Sequence, residues 1–234
     1  MESPAYHAAP LPTPPGPPPG PPLGPPLGPP SGPLSRPLSK LGGRLADPRA
    51  THGRELVRLA VGFYGITVVF AVGYALFSGT IRTLLGTQGP SLGHLLAAVG
   101  IGGVVVAASH VAARAAPVVD RAWKALEALL GPVDARAALV LAVCSGVAEE
   151  LLFRGALWPH LGLAGTTLLF GLVHVLPRRA LIVYPVFAAA VGLLFGLLRE
   201  GSGSVLPPMV AHVVVNATNL LLFSRRRPAP PLAP

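Results

Sequence analysis

Charge is scarce in this 234-residue chain: Asp, Glu, Lys and Arg make up 12% of it, about half the usual share of a soluble domain. Hydrophobic residues make up 51%, a balance that excludes an ordinary water-soluble globule. Cysteine is nearly absent. Cys144 stands alone inside an apolar run, which excludes an intrachain disulfide framework and any cysteine-rich metal site. There is no zinc-finger spacing, RNA-binding aromatic signature or basic helix with interleaved aromatics, so the net charge of +9 does not point to nucleic acid as a partner. The first 30 residues also lack an apolar core of the kind a signal peptide needs.

Proline is abundant but uneven, with 17 of the 29 in the first 50 residues. Stretches such as Pro14-Pro15-Gly16-Pro17-Pro18-Pro19-Gly20 alternate proline and glycine without a strict third-position glycine, so collagen is a poor fit. Residues 1–50 hold too little apolar surface to form a core. They are expected to be a disordered Pro/Gly-rich cytoplasmic tail, a solvated tether open to a proline-reading partner.

From Leu56 onward six apolar runs can be drawn, at 56–77, 92–113, 137–158, 161–176, 180–198 and 205–223. Most have the roughly 20 residues that a spanning helix needs. The expected fold class is therefore all-α: a polytopic transmembrane helix bundle of about six spans at 56–223, preceded by the tail. Pro177 and Pro185 interrupt the join between the fourth and fifth runs, where a tilted or broken helix is expected. Residues 118–130 mix Asp120, Arg121, Lys124 and Glu127 with apolar positions, as an interfacial amphipathic helix would.

The basic residues supply an orientation. If the N-terminus is inside, the inner segments carry Arg36 to Arg58, then Arg114, Arg121, Lys124 and Arg136, then Arg178 and Arg179, then Arg225 to Arg227. The outer loops keep only Arg82 and Arg199. Six spans with both termini cytoplasmic thus satisfy the positive-inside rule at every loop. Arginine greatly outnumbers lysine, which occurs only at Lys40 and Lys124. That bias, with the abundant alanine and proline, fits a GC-rich bacterial genome and hence a bacterial inner membrane.

Within the apolar runs the informative residues are those that should not be there, since an ionisable group at mid-membrane costs at least about 2.5 kcal/mol. Run three contains Glu149, Glu150 and Arg154, run four His174, and run six His212 and Asn216. His94, His110 and His160 sit near run ends and read as interfacial or capping histidines. Glu150 and Arg154 are four apart and share a helical face, so they can pair. Glu149 points about 100° away and needs a partner on another span or a water-filled cavity. A carboxylate, two imidazoles and a carboxamide match what water activation and oxyanion stabilisation require. The same groups could line a proton path or serve as interhelical glue.

Three motifs carry a family resemblance. Glu149-Glu150-Leu151-Leu152-Phe153-Arg154 fits EExxxR with Gly155 following, Phe170 to His174 fits FxxxH, and His212 to Asn216 fits HxxxN. In this order, on successive apolar segments, they resemble the CPBP intramembrane proteases, a family that includes the type II CAAX prenyl proteases and the bacterial Abi proteins. The resemblance covers about 137–223. It implies an intramembrane endopeptidase in which Glu149, with His174, activates a water, and His212 and Asn216 stabilise the oxyanion. Glu150, Arg154 and Phe170 are implied to support the site from behind. The resemblance leaves open whether one divalent metal ion such as zinc is held by Glu149, His174 and His212. It also implies a peptide or protein substrate at the bilayer, prenylated or not. The rivals are a transporter or proton-relay membrane protein and a catalytically idle scaffold. The chain shows no clear internal repeat of the kind transporters carry, and a scaffold has no need of all four polar groups.

Overall fold

The structure is a computed structural model that describes residues 48–225. The tail expectation falls outside the described residues, apart from Pro48 to Ala50, which open the first helix. Among the described residues seven α-helices follow one another: α1 (Pro48–Phe77), α2 (Leu92–Ala115), α3 (Pro117–Leu130), α4 (Ala135–Glu150), α5 (Trp158–Val173), α6 (Tyr184–Ser202) and α7 (Leu206–Arg225). A π turn, Leu151–Ala156, continues α4. No β-strand occurs among the described residues.

Local chemistry sets the helix ends. The Ser91 side chain accepts from the His94 backbone and the Ser91 N–H donates to His94 Nδ1, a capping box for α2. The Asp134 carboxylate caps α4 by accepting from Ala137 N at 2.7 Å. Prolines open α3, α5 and α6, where a missing N–H costs nothing. Gly131 and Gly203, both with positive φ, close α3 and α6.

Helix α7 sits at the centre, packed against α2, α4 and α6, while α1 covers the other side of α4 and α5 lies along α6. Close approach comes from small residues, as is usual where lipid removes the hydrophobic drive between helices. A Cβ at Gly146 on α4 would come within 2.6 Å of Val213 Cγ2, and one at Gly102 on α2 within 2.9 Å of Val214 Cγ1. Outward faces are apolar: Leu59, Phe63, Ile66, Val69 and Phe77 on α1 are all exposed. In water such a face would be a liability; in a bilayer it is the solvated surface. The chain is an integral membrane protein.

Each of the six apolar runs is helical over most of its length, but they differ as spans. Among the described residues four helices are long and apolar enough to cross a membrane alone: Thr51–Phe77, Leu92–Ala115, Arg179–Ser202 and Leu206–Arg225. A fifth arises if α3 and Ala135–Ala156, bent by 105°, form one span. The third run falls short by itself because it carries Glu149, Glu150 and Arg154, with Arg136 just before it. The fourth is only 16 residues long and kinks at Gly162 (φ 59°). After it, the chain breaks between His174 and Arg178 and resumes through a 3-10 turn, Arg179–Leu181, as the prolines suggested.

Helix α3 is the amphipathic segment. Its Asp120 and Lys124 pair in the open at 2.8 Å, and on its other face Trp123 stacks on His110 and meets Phe223 edge-on at 5.2 Å. Trp123 thus sets α3 against α2 and touches the last turn of α7.

Candidate active site

Glu149 and Glu150 are the last two residues of α4, at its passage into the π turn. Such turns widen a helix locally and recur at functional sites. The two carboxylates part company there. Glu150 is fully buried, and its Oε1 accepts from Arg154 Nη1 at 3.0 Å and from His212 Nδ1 at 2.8 Å. Arg154 is equally buried; its second arm donates to the Gly192 carbonyl at 2.6 Å, and its guanidinium lies 4.6 Å from the Phe170 ring centroid. The Arg154 carbonyl, in the π turn, accepts from Arg199 Nε at 3.1 Å.

Glu149 faces a cavity of about 330 Å³ instead. Tyr64 of α1 donates to its Oε1 at 3.1 Å. Its Oε2 has no hydrogen-bond partner, and stands 3.8 Å from His174 Nε2 and 4.0 Å from His212 Nε2. The neighbours of each imidazole set its tautomer. His174, just past the end of α5, has Nδ1 2.6 Å from the Phe170 carbonyl; a carbonyl only accepts, so Nδ1 carries a proton, and in the neutral ring Nε2 then offers the lone pair. His212 likewise donates from Nδ1 to the Glu150 carboxylate. Both Nε2 atoms therefore converge on Glu149 Oε2, across gaps of 3.8 and 4.0 Å that are wide enough for one bridging water at ordinary hydrogen-bond lengths of about 2.8 Å.

Asn216, one turn along α7 from His212, lines the same cavity and donates one amide hydrogen to Ser145 Oγ at 2.9 Å. Tyr184 of α6 closes that end, its ring edge-on to His174 at 5.6 Å. The far end of the cavity is apolar, walled by Trp123, Leu126, Leu130, Leu220 and Phe223. The four residues to which the resemblance gives catalytic roles thus line one cavity, drawn from α4, the end of α5 and α7, while Glu150 and Arg154 lie behind it. His94, His110 and His160 are elsewhere: His94 caps α2, His110 stacks on Trp123, and His160 meets Tyr74 edge-on.

Four lining residues with a hydroxyl or carboxamide are not marked out by the sequence reading above: Tyr64, Ser145, Tyr184 and Asn219. Spacing could have found two of them, since Ser145 is one turn before Glu149 and Asn219 one turn after Asn216. Nothing local marks the tyrosines, which read as ordinary aromatics of membrane helices.

Among the described residues no group of three or more His, Cys, Asp or Glu is placed to hold a metal ion. The separations of 3.8 and 4.0 Å exceed the roughly 3.3 Å edge of a tetrahedral zinc site built with bonds near 2.0 Å.

The class so defined is a polytopic membrane protein whose helix-lined cavity holds one unpartnered carboxylate oxygen between two imidazoles. The segment of residues 131–218, less than half of the chain, matches the family model described as type II CAAX prenyl endopeptidase, Rce1-like. It contains Glu149, Glu150, Arg154, His174, His212 and Asn216. The chain is also 33% identical over 79 residues to the uncharacterized protein YpbD of Bacillus subtilis (strain 168). That match covers 34% of this chain and 41% of YpbD, so it spans about two-fifths of the curated relative's length. No solved structure matches this chain.

Proposed function

We propose that the protein is an intramembrane endopeptidase that hydrolyses a peptide bond of a membrane-associated substrate. The observation that carries this is the convergence of His174 Nε2 and His212 Nε2 on the unpartnered Oε2 of Glu149. A water held there is oriented by His174 and gives a proton to Glu149 as its oxygen attacks the scissile carbonyl. The oxyanion is received by the free amide hydrogen of Asn216 and by His212, for which Glu150 behind Nδ1 supplies the counter-charge when Nε2 also carries a proton. Glu149 then passes its proton to the leaving amine. Hydrolysis is thereby balanced with water as the only co-reactant.

The donors of a metal, were one used, would be these same Glu149, His174 and His212, which would have to close by about 0.5 to 0.7 Å from their 3.8 and 4.0 Å separations to reach the zinc edge. A bound divalent ion would supply Lewis-acid polarisation of the carbonyl and the water; every step above is carried by the chain's own groups.

The test is cleavage of a quenched-fluorescent peptide library by the purified full-length protein in lipid nanodiscs, with and without chelator. Cleavage that survives chelation and is lost on His174→Ala is the expected result. No cleavage by the wild-type protein under either condition overturns the reading, and cleavage abolished by chelator and restored by zinc assigns the three donors to a metal.

The orientation proposed follows the arginine distribution, with both termini on the cytoplasmic face of a bacterial inner membrane. A reporter fused after Arg225 should therefore report the cytoplasm, and one inserted between Ser78 and Ser91 the opposite face. The reverse pattern would invert the whole bundle.

A further inference from the structure

One polar side chain in the cavity is used neither by the mechanism nor by the packing. Asn219 lies one turn beyond Asn216 on α7 and just past the segment that the family model matches. It is only 8% exposed, it lines the cavity, and its side chain makes no hydrogen bond to any described residue; Oδ1 is buried without a partner. Its neighbours along that wall are Leu220, Phe223 and Trp123, whose side chains hold a single polar group, the indole N–H of Trp123, and no hydrogen bond joins it to Asn219 Oδ1. A buried carboxamide left unsatisfied is costly anywhere, and inside a membrane there is no bulk water to relieve it.

A carboxamide presents one acceptor and two donor hydrogens side by side, the complement of a peptide group, which offers an N–H and a C=O. Asn216 and Asn219 are separated by a rise of about 4.5 Å along the helix. Successive peptide groups of an extended chain repeat every 3.3–3.6 Å or so. A substrate whose carbonyl meets Asn216 therefore brings a neighbouring peptide group within reach of Asn219.

We propose that Asn219 is a backbone-binding position: its carboxamide hydrogen-bonds a peptide group of the substrate adjacent to the one under attack. This rests on the peptidase reading for its register but not for its measurement. Asn219 does not touch the reacting atoms. It fixes where along the cavity an extended apolar peptide stops, and so which bond lies over Glu149.

The experiment uses full-length protein carrying Glu149→Gln in nanodiscs, so that binding is measured without turnover. The probe is a fluorescein-labelled apolar heptapeptide selected by its binding to that protein, read by anisotropy. Analogues replace each backbone amide in turn with an ester, which removes the N–H and weakens the carbonyl. With Asn219 intact, one ester position should weaken binding about tenfold. Asn219→Leu should bind the parent peptide about tenfold more weakly, lose the penalty at that one position, and melt at the same temperature or higher, since an unsatisfied amide has been removed. Asn219→Ala should lose the same penalty.

Unchanged affinity for the parent peptide in both variants overturns the proposal. So does an ester profile identical to that of the Asn219 protein, or loss of folded protein in both, which would make Asn219 a structural group. Cleavage is read separately with Glu149 restored: a peptide that binds through Asn219 yet is never cut would defeat the peptidase reading and leave Asn219 as a peptide-binding residue.

Discussion

Glutamine in place of Glu149 is expected to lower peptidase kcat by about 10²- to 10⁴-fold, the range that general base catalysis contributes, while folded yield and Tm stay at the wild-type level. The two halves of that expectation have one structural cause. Glu149 Oε1 accepts from Tyr64, a bond that the glutamine oxygen can also accept, so α1 stays docked on α4. Oε2 has no partner of its own, so an amide nitrogen there breaks no existing hydrogen bond, yet it cannot take a proton from water. Single-turnover kinetics on a peptide that the wild-type protein cleaves, with a melting curve on the same sample, measure both halves. Activity within tenfold of wild type would remove Glu149 from the base role.

Glu150→Ala is expected to do the opposite: it should cost folded protein first. Glu150 and Arg154 are both fully buried, and the carboxylate is the anion paired with a guanidinium otherwise held by one carbonyl and the faces of Phe153, Phe170 and Phe195. Removing one partner of a buried pair costs about 3–5 kcal/mol, a large share of the whole stability of a small protein. Yield of monodisperse protein in detergent should collapse. The pair also has a second duty, because the oxygen that meets Arg154 also anchors His212 Nδ1. Glu150→Gln combined with Arg154→Met removes the uncompensated charge and should restore most of the folded yield. It should still lower kcat by about 10- to 100-fold, the usual cost of losing the group that orients a working histidine. A double variant that folds and turns over at the wild-type rate would reduce the pair to a structural role.

Much of the polar lining of the candidate site was legible in the sequence because lipid makes polar residues conspicuous. Glu149, Glu150, Arg154, His174, His212 and Asn216 were singled out because ionisable and amide groups inside apolar runs are expensive. The division of labour between adjacent glutamates also followed from helical geometry. One hundred degrees per residue cannot put both on Arg154, and the structure gives Arg154 to Glu150 and leaves Glu149 to the cavity. The link from Glu150 to His212 was not legible. It joins residues 62 positions apart, and no local rule says which face of α7 turns toward the end of α4.

The span count shows the same boundary from another side. Hydropathy located every apolar run, since it reports composition along the chain. It could not tell that Ala135–Ala156 would end in a π turn, or that α5 would stop short at His174, because those outcomes depend on what the neighbouring helices offer to freed carbonyls and charges. By itself the sequence determined the solvent, the helical class, the six apolar segments and the polar residues that lipid will not tolerate without a purpose; each is a property of composition or of spacing within one helix. Only the tertiary structure decided that Tyr64 holds Glu149, that Glu150 stands behind His212, and that Asn219 is left with an unanswered carboxamide. Each of these depends on the rotation and depth of one helix against another, set by close contacts such as Gly146 on Val213 and Gly102 on Val214 that no single segment contains.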